Sequence, residues 1–560
     1  MPTRPDEPRR STNPQPKNWS WRDRARGSVI AATTLDPGTE PVTGVDAFQT
    51  VYVPHRLLVS TGSDDTDGRR MTNSLSRVRE AAEAFGWDAV WETVGGSALP
   101  DGSLPEPTGP SGARVMRVRL VSREDVGGDP SPALPDAWRV LQRVRRDALV
   151  AARRNAKPGE MLEPGAVMRK AGIDRVGLDH VLTVGPVGIN PFMKTNPFMK
   201  TNPFMKTNPF MKTNPFMKTN PVAEYAECGA GGRQPVAWIG AAPRRRKMPK
   251  AHRRVVAVLD TGAGEHSWLP DEIVTRDVRL DGQAVGLDDA ADPEVYPDLY
   301  GPLDGEIDPV AGHGTFIAGI IRQAAPDADI LAIRVADALG VVEESGLLRV
   351  LEQLTELVQR YQSGRTDGQR IDVISMSLGY YHETPEDGLF TRDLYDLIAG
   401  LRALGVTVVV SAGNDAIDRP TFPASLWPWP GADNGIHPDG GAPHVSVGAL
   451  NPDGWTTALF SNVGPWVRTY ATGASVVSTI PAFEGGLQPS ARDDEYELFR
   501  NTIGPEDFRG GFAVWSGTSF AAPLVAGWIA DALGDVPDES VPVEQTIEVS
   551  RLTVTKVLAD

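Results

Sequence analysis

Three residues that can form covalent intermediates or exchange protons stand in separate motifs with neighbouring glycines, between residues 255 and 527 of the 560-residue chain. Asp260 closes the apolar run VVAVLD, His313 lies in GHGTFIAG, and Ser519 lies in SGTSFAAPLVAG. Acyl transfer needs a nucleophile, a base that takes its proton, and a carboxylate that orients the base. Each residue alone is more typical of a turn, a structural histidine or a helix cap. Together, they supply all three roles.

A fourth motif, SAGN (411–414), ends another apolar run with Asn414. Its side-chain amide can donate to the oxyanion that forms in acyl transfer, and loss of one such donor typically costs about 10²–10³ in turnover. The backbone N–H of Ser519, at an expected helix start, is a second candidate donor. The four motifs together predict a centre for nucleophilic catalysis.

Short, nearly continuous apolar runs must position these residues: 255–260, 329–335, 371–378 and 406–413. Such runs are typical of parallel strands that are buried on both faces. Helical segments lie between them, and SGLLRVLEQLTELVQRYQ carries one apolar stripe. The alternation predicts a doubly wound, mostly parallel α/β domain over residues 251–536, with its reactive groups at the carboxyl ends of the strands.

On these motifs, the chain resembles the subtilisin-like serine proteases, the subtilases (peptidase S8), over about residues 250–535. The resemblance implies a serine endopeptidase with Asp260, His313 and Ser519 as its catalytic triad and Asn414 as oxyanion donor. It allows structural calcium and requires no cofactor. Phe316 and Phe520 replace side chains common in the family, at expected packing positions. By resemblance, the substrate-binding residues are Ser375, Ser377, Leu378, Gly379, Ser411, Ala412 and Gly413.

Residues 48–186 read as a small α+β domain in the order β-α-β-β-α-β, which is typical of ferredoxin-like folds. Asn73 is predicted to cap the first helix, and Pro135 to begin the second. Because many subtilases carry an N-terminal propeptide of this form, the resemblance implies that the domain inhibits the protease. An unrelated small α/β domain is the alternative.

Three further segments look unstructured. Residues 1–47 are rich in Pro and Arg and are predicted to be a disordered tail. Residues 187–250 are predicted to be a linker that runs into the basic stretch PRRRKMPKAHRR (243–254), itself expected to be solvated. Residues 537–560 are predicted to be a C-terminal tail. The long acidic segment 481–511 is expected to form a surface insertion.

The linker contains five copies of the hexapeptide NPFMKT, starting at Asn190. A proline in every unit excludes a continuous helix or a central strand. A flexible linker is the simplest interpretation. Two alternatives stay open. The NPF units could dock a partner, in which case the protein is a catalytically silent peptide-binding or scaffold protein. Alternatively, the tract could occupy the protease's own cleft or be cut by it, after the Phe or Met of a unit.

Composition limits the remaining function classes. The formal net charge of −17 argues against nucleic acid as a partner. Cys228 is the only cysteine, so no intrachain disulfide can form. No apolar run is long enough to predict a signal peptide or a membrane span, which favours a cytoplasmic protein without a membrane partner. The expected partners are therefore protein or peptide substrates and the chain's own N-terminal domain.

Overall fold

The computed structural model describes residues 14–27, 32–62, 64–65, 67–123, 134–157, 160–185, 223–229, 231–301, 305–384, 392–432, 435–485, 492–496, 498–538 and 541–559. The NPFMKT tract lies outside the described residues, and so do the predictions made for it. Within the described residues, no helix combines the length and the apolar character needed to cross a bilayer.

The N-terminal region is an antiparallel sheet with strand order β5-β2-β4-β3, covered by helices. Its elements follow the predicted order, with one short strand and two short helices added. They are α1 (Trp21–Gly27), β1 (Thr33–Thr34), β2 (Val51–Thr61), α2 (Arg69–Glu83), β3 (Trp87–Thr93), β4 (Arg114–Ser122), α3 (Ala137–Asn155), α4 (Pro164–Ala171) and β5 (Val176–Val184).

Helix α2 shows how this region forms its core. Met71, Leu75, Val78 and Ala82 are spaced by three or four residues and are all buried, so they form one stripe that packs on the sheet. The prediction that Asn73 caps this helix is wrong. The helix starts earlier, and the Asp65 carboxylate accepts hydrogen bonds from the N–H groups of its first turn.

The second region is built on a parallel sheet with strand order β17-β16-β15-β13-β7-β11-β8. Its strands are β6 (Gln234–Val236), β7 (Val255–Asp260), β8 (Val274–Thr275), β9 (Arg279–Leu280), β10 (Gln283–Ala284), β11 (Asp329–Arg334), β12 (Val341–Glu343), β13 (Val373–Met376), β14 (Leu378–Gly379), β15 (Thr407–Ser411), β16 (His444–Leu450), β17 (Thr469–Thr472), β18 (Val476–Thr479), β19 (Arg492–Glu495), β20 (Leu498–Asn501) and β21 (Phe512–Trp515). Its helices are α5 (His313–Ala324), α6 (Glu344–Gln362), α7 (Asp393–Ala403), α8 (Thr518–Ala532) and α9 (Val543–Val557).

Helices cover both faces of this sheet. Along β7, Val256 and Val258 pack in the core that contains α5 and α8. Ala257 and Leu259 pack in the opposite core, with α6 and α7. Successive side chains of a strand point to opposite faces, so an all-apolar strand is what two covered faces require. The predicted doubly wound α/β fold is confirmed.

Three segments expected to be unstructured differ from that expectation where they are described. In the first, Arg24 is buried against Asp298, and Leu35 lies in the N-terminal core. In the basic stretch, Arg254 pairs with Asp372. At the C-terminus, α9 packs on α8 and buries Val554. Composition suggested solvated chain, but a few buried apolar and paired charged side chains are enough to fold these segments onto the body.

Candidate active site

Asp260 and His313 meet at the carboxyl end of β7. Asp260 is the last residue of that strand, and His313 is the first residue of α5. The Nδ1 atom of His313 lies 2.7 Å from Oδ1 of Asp260, and both side chains are fully buried. A carboxylate at this position fixes the orientation of the imidazole and stabilises its protonated form.

Ser519 lies in the first turn of α8, and two neighbours shape its backbone. Pro523 lies four residues later, and since proline has no N–H, it cannot pair with the Ser519 carbonyl. The hydroxyl of Ser377 donates to that carbonyl instead, at 2.9 Å. The proline of GTSFAAP therefore leaves the Ser519 carbonyl free for Ser377, and this hydrogen bond links the start of α8 to the end of β13.

Asn414 follows β15, and its amide has a fixed orientation. Its Oδ1 accepts hydrogen bonds from the Thr518 N–H at 2.8 Å and from the Thr518 hydroxyl at 2.9 Å. These two donors identify the oxygen, so the amide nitrogen points away from Thr518. That nitrogen donates to the Gly185 carbonyl oxygen at 3.0 Å.

The same Gly185 oxygen also accepts a hydrogen bond from the Ser519 hydroxyl, at 3.1 Å. Two of the predicted catalytic groups, Asn414 and Ser519, therefore converge on one peptide carbonyl of the chain itself. Nε2 of His313 is buried without a hydrogen-bond partner among the described residues. In this arrangement, the Ser519 proton is directed at Gly185 and not at His313.

Gly185 follows directly after β5, which lies between two strands of the second region. Val184 pairs with Leu378 in β14, and the Val184 N–H donates to the Gly340 carbonyl. Leu182 pairs with Val342 in β12. The last strand of the N-terminal sheet therefore continues into the cleft as the middle strand of a three-stranded antiparallel ladder. Extended chain held in this way is how a peptide adds to a sheet edge.

The seven predicted substrate-binding residues divide into two groups. Leu378 and Gly379 pair directly with β5. The other five lie near Asn414 and Ser519 or in and around strands β13 and β15 of the parallel sheet. The Gly413 N–H donates to the Thr518 hydroxyl, and Ser377 contacts Ser519 as described above. Ser375, Ser411 and Ala412 are buried around β13 and β15.

Aromatic rings surround His313. Its ring centroid lies 5.7 Å from that of Trp515 and 5.3 Å from that of Phe520. Phe316 packs against Phe520 in turn, at 4.6 Å. Phe316 and Phe520 are completely buried, so both departures from the family pattern occupy packing positions, as expected. The apolar wall excludes water from the Asp260–His313 pair.

A second buried polar group joins the two regions, and no sequence motif predicts it. His180 of β5 lies between two carboxylates, with Nδ1 2.6 Å from Glu344 and Nε2 2.8 Å from Glu383. Burial alone would lower the pKa of His180, but the charges of Glu344 and Glu383 and the hydrogen bonds to them raise it to about 10. The imidazolium form therefore bridges the regions.

A calcium site is not apparent from the side chains. Among the described residues, one group of three His, Cys, Asp or Glu side chains lies close enough to share an ion: His180, His382 and Glu383. Two of its three ligands would be imidazole nitrogens, whereas Ca²⁺ prefers six to eight oxygens. The group does not fit calcium.

Comparison with known proteins identifies the family of the second region. The family model described as Peptidase_S8, the subtilase family, matches residues 252–558, which is more than half of the chain. The chain belongs to the subtilase family. The matched range extends past residue 536, the domain end that the sequence predicts. It therefore includes α9, which lies in the predicted C-terminal tail.

Several curated proteins are similar to this subtilase. The Intracellular serine protease of Paenibacillus polymyxa is 29% identical over 287 residues, which are 49% of this chain and 65% of that protein. Serine protease AprX of Bacillus subtilis (strain 168) is 30% identical over 328 residues, 51% of this chain and 65% of that protein. This subtilase therefore spans less than two thirds of these relatives' length.

One solved structure, of a cold adapted subtilisin-like serine proteinase, matches 52% of this subtilase and 81% of that chain. The sequence identity is 22% and the TM-score is 0.31. A likeness at that level carries no argument about the site. The geometry described above stands on the contacts of this subtilase alone.

Proposed function

We propose that this subtilase is a serine endopeptidase whose triad is Asp260, His313 and Ser519, with Asn414 as oxyanion donor. The observation that carries the proposal is the Gly185 carbonyl, which accepts hydrogen bonds from both Asn414 and Ser519. A substrate carbonyl in that position would have the nucleophile beside it and a donor ready for its developing negative charge.

The reaction starts when the Ser519 hydroxyl turns from the carbonyl oxygen to Nε2 of His313. His313 takes the proton as Ser519 Oγ attacks the carbonyl carbon, and Asp260 stabilises the imidazolium. Asn414 and the Ser519 backbone N–H stabilise the tetrahedral oxyanion. The intermediate collapses as His313 gives its proton to the leaving amine. Water, activated by the same histidine, then hydrolyses the acyl-enzyme.

We further propose that the N-terminal region inhibits this site. Support comes from β5, which occupies the cleft between β12 and β14 with its last carbonyl on the catalytic donors. A chain held there blocks a substrate from the same position. The full chain is then a latent form, and substrates are extended segments of proteins or peptides.

The test compares wild-type protein with Ser519→Ala on a fluorogenic peptide. We expect the variant to lose about 10⁴–10⁶ of the turnover, while Ser363→Ala, an exposed serine at the end of α6, keeps wild-type activity. Unchanged hydrolysis by Ser519→Ala would overturn the proposal. A catalytically silent scaffold is the alternative, and it predicts no hydrolysis by any form, with a partner retained on the NPFMKT tract.

A further inference from the structure

Glu294 is a buried carboxylate that belongs to none of the sequence motifs. It lies between β10 and α5 and is 2% exposed. Oε1 accepts hydrogen bonds from the Thr261 hydroxyl at 2.5 Å and from the Gly314 N–H at 2.9 Å. Oε2 accepts from the hydroxyl of Thr315 at 2.5 Å and from its N–H at 3.3 Å.

These partners are the immediate neighbours of the proposed catalytic pair. Thr261 follows Asp260, and its N–H donates to Oδ1 of Asp260 at 2.8 Å. Gly314 and Thr315 follow His313 in the first turn of α5, where N–H groups have no partner within the helix. A carboxylate there pairs those donors and favours the positive end of the helix dipole.

The two segments also touch directly, so little displacement is possible. A Cβ atom on Gly314 would lie 2.1 Å from the Gly262 carbonyl oxygen. Only a glycine allows α5 to approach the loop after β7 this closely. Glu294 spans this contact, and it therefore sets how the end of β7, which carries Asp260, lies against the helix that carries His313.

We propose that Glu294 is a positioning residue for the Asp260–His313 pair, acting through Thr261 and the first turn of α5. This inference rests on the proposed function, because it assigns a role within the same triad. Glu294 itself touches neither substrate nor the reacting atoms.

The hydrogen-bond arrangement gives Glu294 an electrostatic effect as well. The Thr261 hydroxyl has one proton and two acceptors in reach, Glu294 at 2.5 Å and Oδ1 of Asp260 at 3.1 Å. When Glu294 is ionised, Thr261 donates to it. When Glu294 is protonated, its own O–H can donate to Thr261, and Thr261 then donates to Asp260. That change weakens the support that Asp260 gives to protonated His313.

Burial and the groups around Glu294 place the protonation of this carboxylate near neutral pH. Burial raises the pKa of Glu294 to about 7 against the hydrogen bonds from Thr261 and Thr315, and the charges of Asp292 and Asp260 add to the rise. Arg334, which like Glu294 lies beside Gly262, pairs with Asp289. An ionised Glu294 therefore places a negative charge beside the Asp260–His313 pair, and its neutral form removes that charge.

The test uses full-length Glu294→Gln, which keeps the shape and removes the charge, beside Glu294→Ala and the exposed control Glu272→Gln. We expect kcat to fall about 10-fold in Glu294→Gln and about 10²-fold in Glu294→Ala, with KM within about twofold of wild type. The acid limb of the kcat/KM profile of Glu294→Gln should move to lower pH by about half a unit or more, because the variant lacks the negative charge beside the Asp260–His313 pair.

Thermal unfolding is measured on each variant so that misfolding is recognised. A folded Glu294→Gln with the wild-type rate and pH profile would overturn the inference, while an inactive Ser519→Ala in the same assay would leave the proposed function standing. Hydrolysis that survives Ser519→Ala would instead remove the proposed function, and the inference with it. A purely structural role for Glu294 would lower Tm without moving the acid limb, and that result would also overturn the inference.

Discussion

The amide nitrogen of Asn414 lies 3.0 Å from the carbonyl oxygen of Gly185, 229 residues away in the chain. The contact joins the end of the N-terminal sheet to the carboxyl edge of the parallel sheet. It defines which peptide bond the chain presents to its own proposed catalytic centre.

Asn414 and Thr518 should contribute to the reaction in graded amounts. Asn414→Ala removes the proposed oxyanion donor and is expected to lower kcat by about 10²–10³. Thr518→Val removes one of the two bonds that orient the amide, so we expect a smaller loss, about 10-fold. Steady-state kinetics on a short peptide would measure both. Equal losses in the two variants would contradict a role for Thr518 in orientation alone.

The side chains of β5 should decide how tightly the N-terminal region inhibits. Val184 is 1% exposed in the core that contains β12 and β14, whereas Thr183 is partly exposed. Val184→Asp places a charge among apolar side chains and should release the strand. We expect the full-length variant to hydrolyse a short peptide at least about tenfold faster than wild type. Thr183→Asp is the matched control, and similar rates in both would argue against this mode of inhibition.

The identity of residue 186 should limit self-cleavage after Gly185. The bond that follows Gly185 leads to Pro186, whose nitrogen carries the pyrrolidine ring in place of a hydrogen, so the leaving group is a bulky secondary amine. We expect Pro186→Ala to increase cleavage between residues 185 and 186, as seen by intact mass spectrometry. Fragments that also form in Ser519→Ala would point to another protease. In wild-type protein, masses that end at a Phe of the NPFMKT units would favour self-cleavage in that tract.

Local sequence was enough to predict the strands and the motif residues. The run VVAVLD corresponds to β7 residue for residue, and VGLDHVLTV to β5. Both are short apolar segments with clear ends, and the order of elements then limits the fold. The Asp260–His313 contact followed from motif order and resemblance.

What the sequence did not reveal depends on contacts between distant segments. The pairing of β5 with β12 and β14 joins segments more than a hundred residues apart, and no local pattern specifies that register. Glu294 stands in the acidic stretch DDAADPEVYPDLYG, where a carboxylate is expected to be solvated. Only tertiary packing distinguishes this buried carboxylate from Asp288 and Asp289 of the same stretch, which are exposed.

His180 should make inhibition by the N-terminal region depend on pH. In the docked state, the His180 ring lies between the carboxylates of Glu344, at the start of α6, and Glu383, beyond β14. It also stacks on the Tyr380 ring, with centroids 4.5 Å apart, and contacts the His382 ring. Arg145 of α3 pairs with Glu383 as well. Burial lowers the pKa of His382 to about 3, so that ring stays neutral. The charge on His180 is therefore the one that changes as the strand docks.

The sign of the effect follows from the two pKa values of His180. The docked pKa is about 10, above the ordinary value of about 6.5 for an exposed histidine. Docking therefore takes up a proton between these values. The stabilisation of the docked strand by protonated His180 is complete below about pH 6.5. As the pH rises from there toward 10, the equilibrium constant for docking falls by about tenfold for each pH unit. The full chain should be more strongly inhibited at pH 6 than at pH 9.

His180→Gln tests this by removing the titration while keeping a side chain that can hydrogen-bond. We measure the ratio of peptide hydrolysis rates at pH 9 and pH 6 for the full chain, and expect a smaller ratio in His180→Gln, with higher activity than wild type at pH 6. His252→Gln is the control, since that histidine pairs with Asp538 at the surface. Val184→Asp, in which the strand is already released, gives the intrinsic pH profile of the catalytic centre. A wild-type ratio equal to that of Val184→Asp would show that His180 does not control docking.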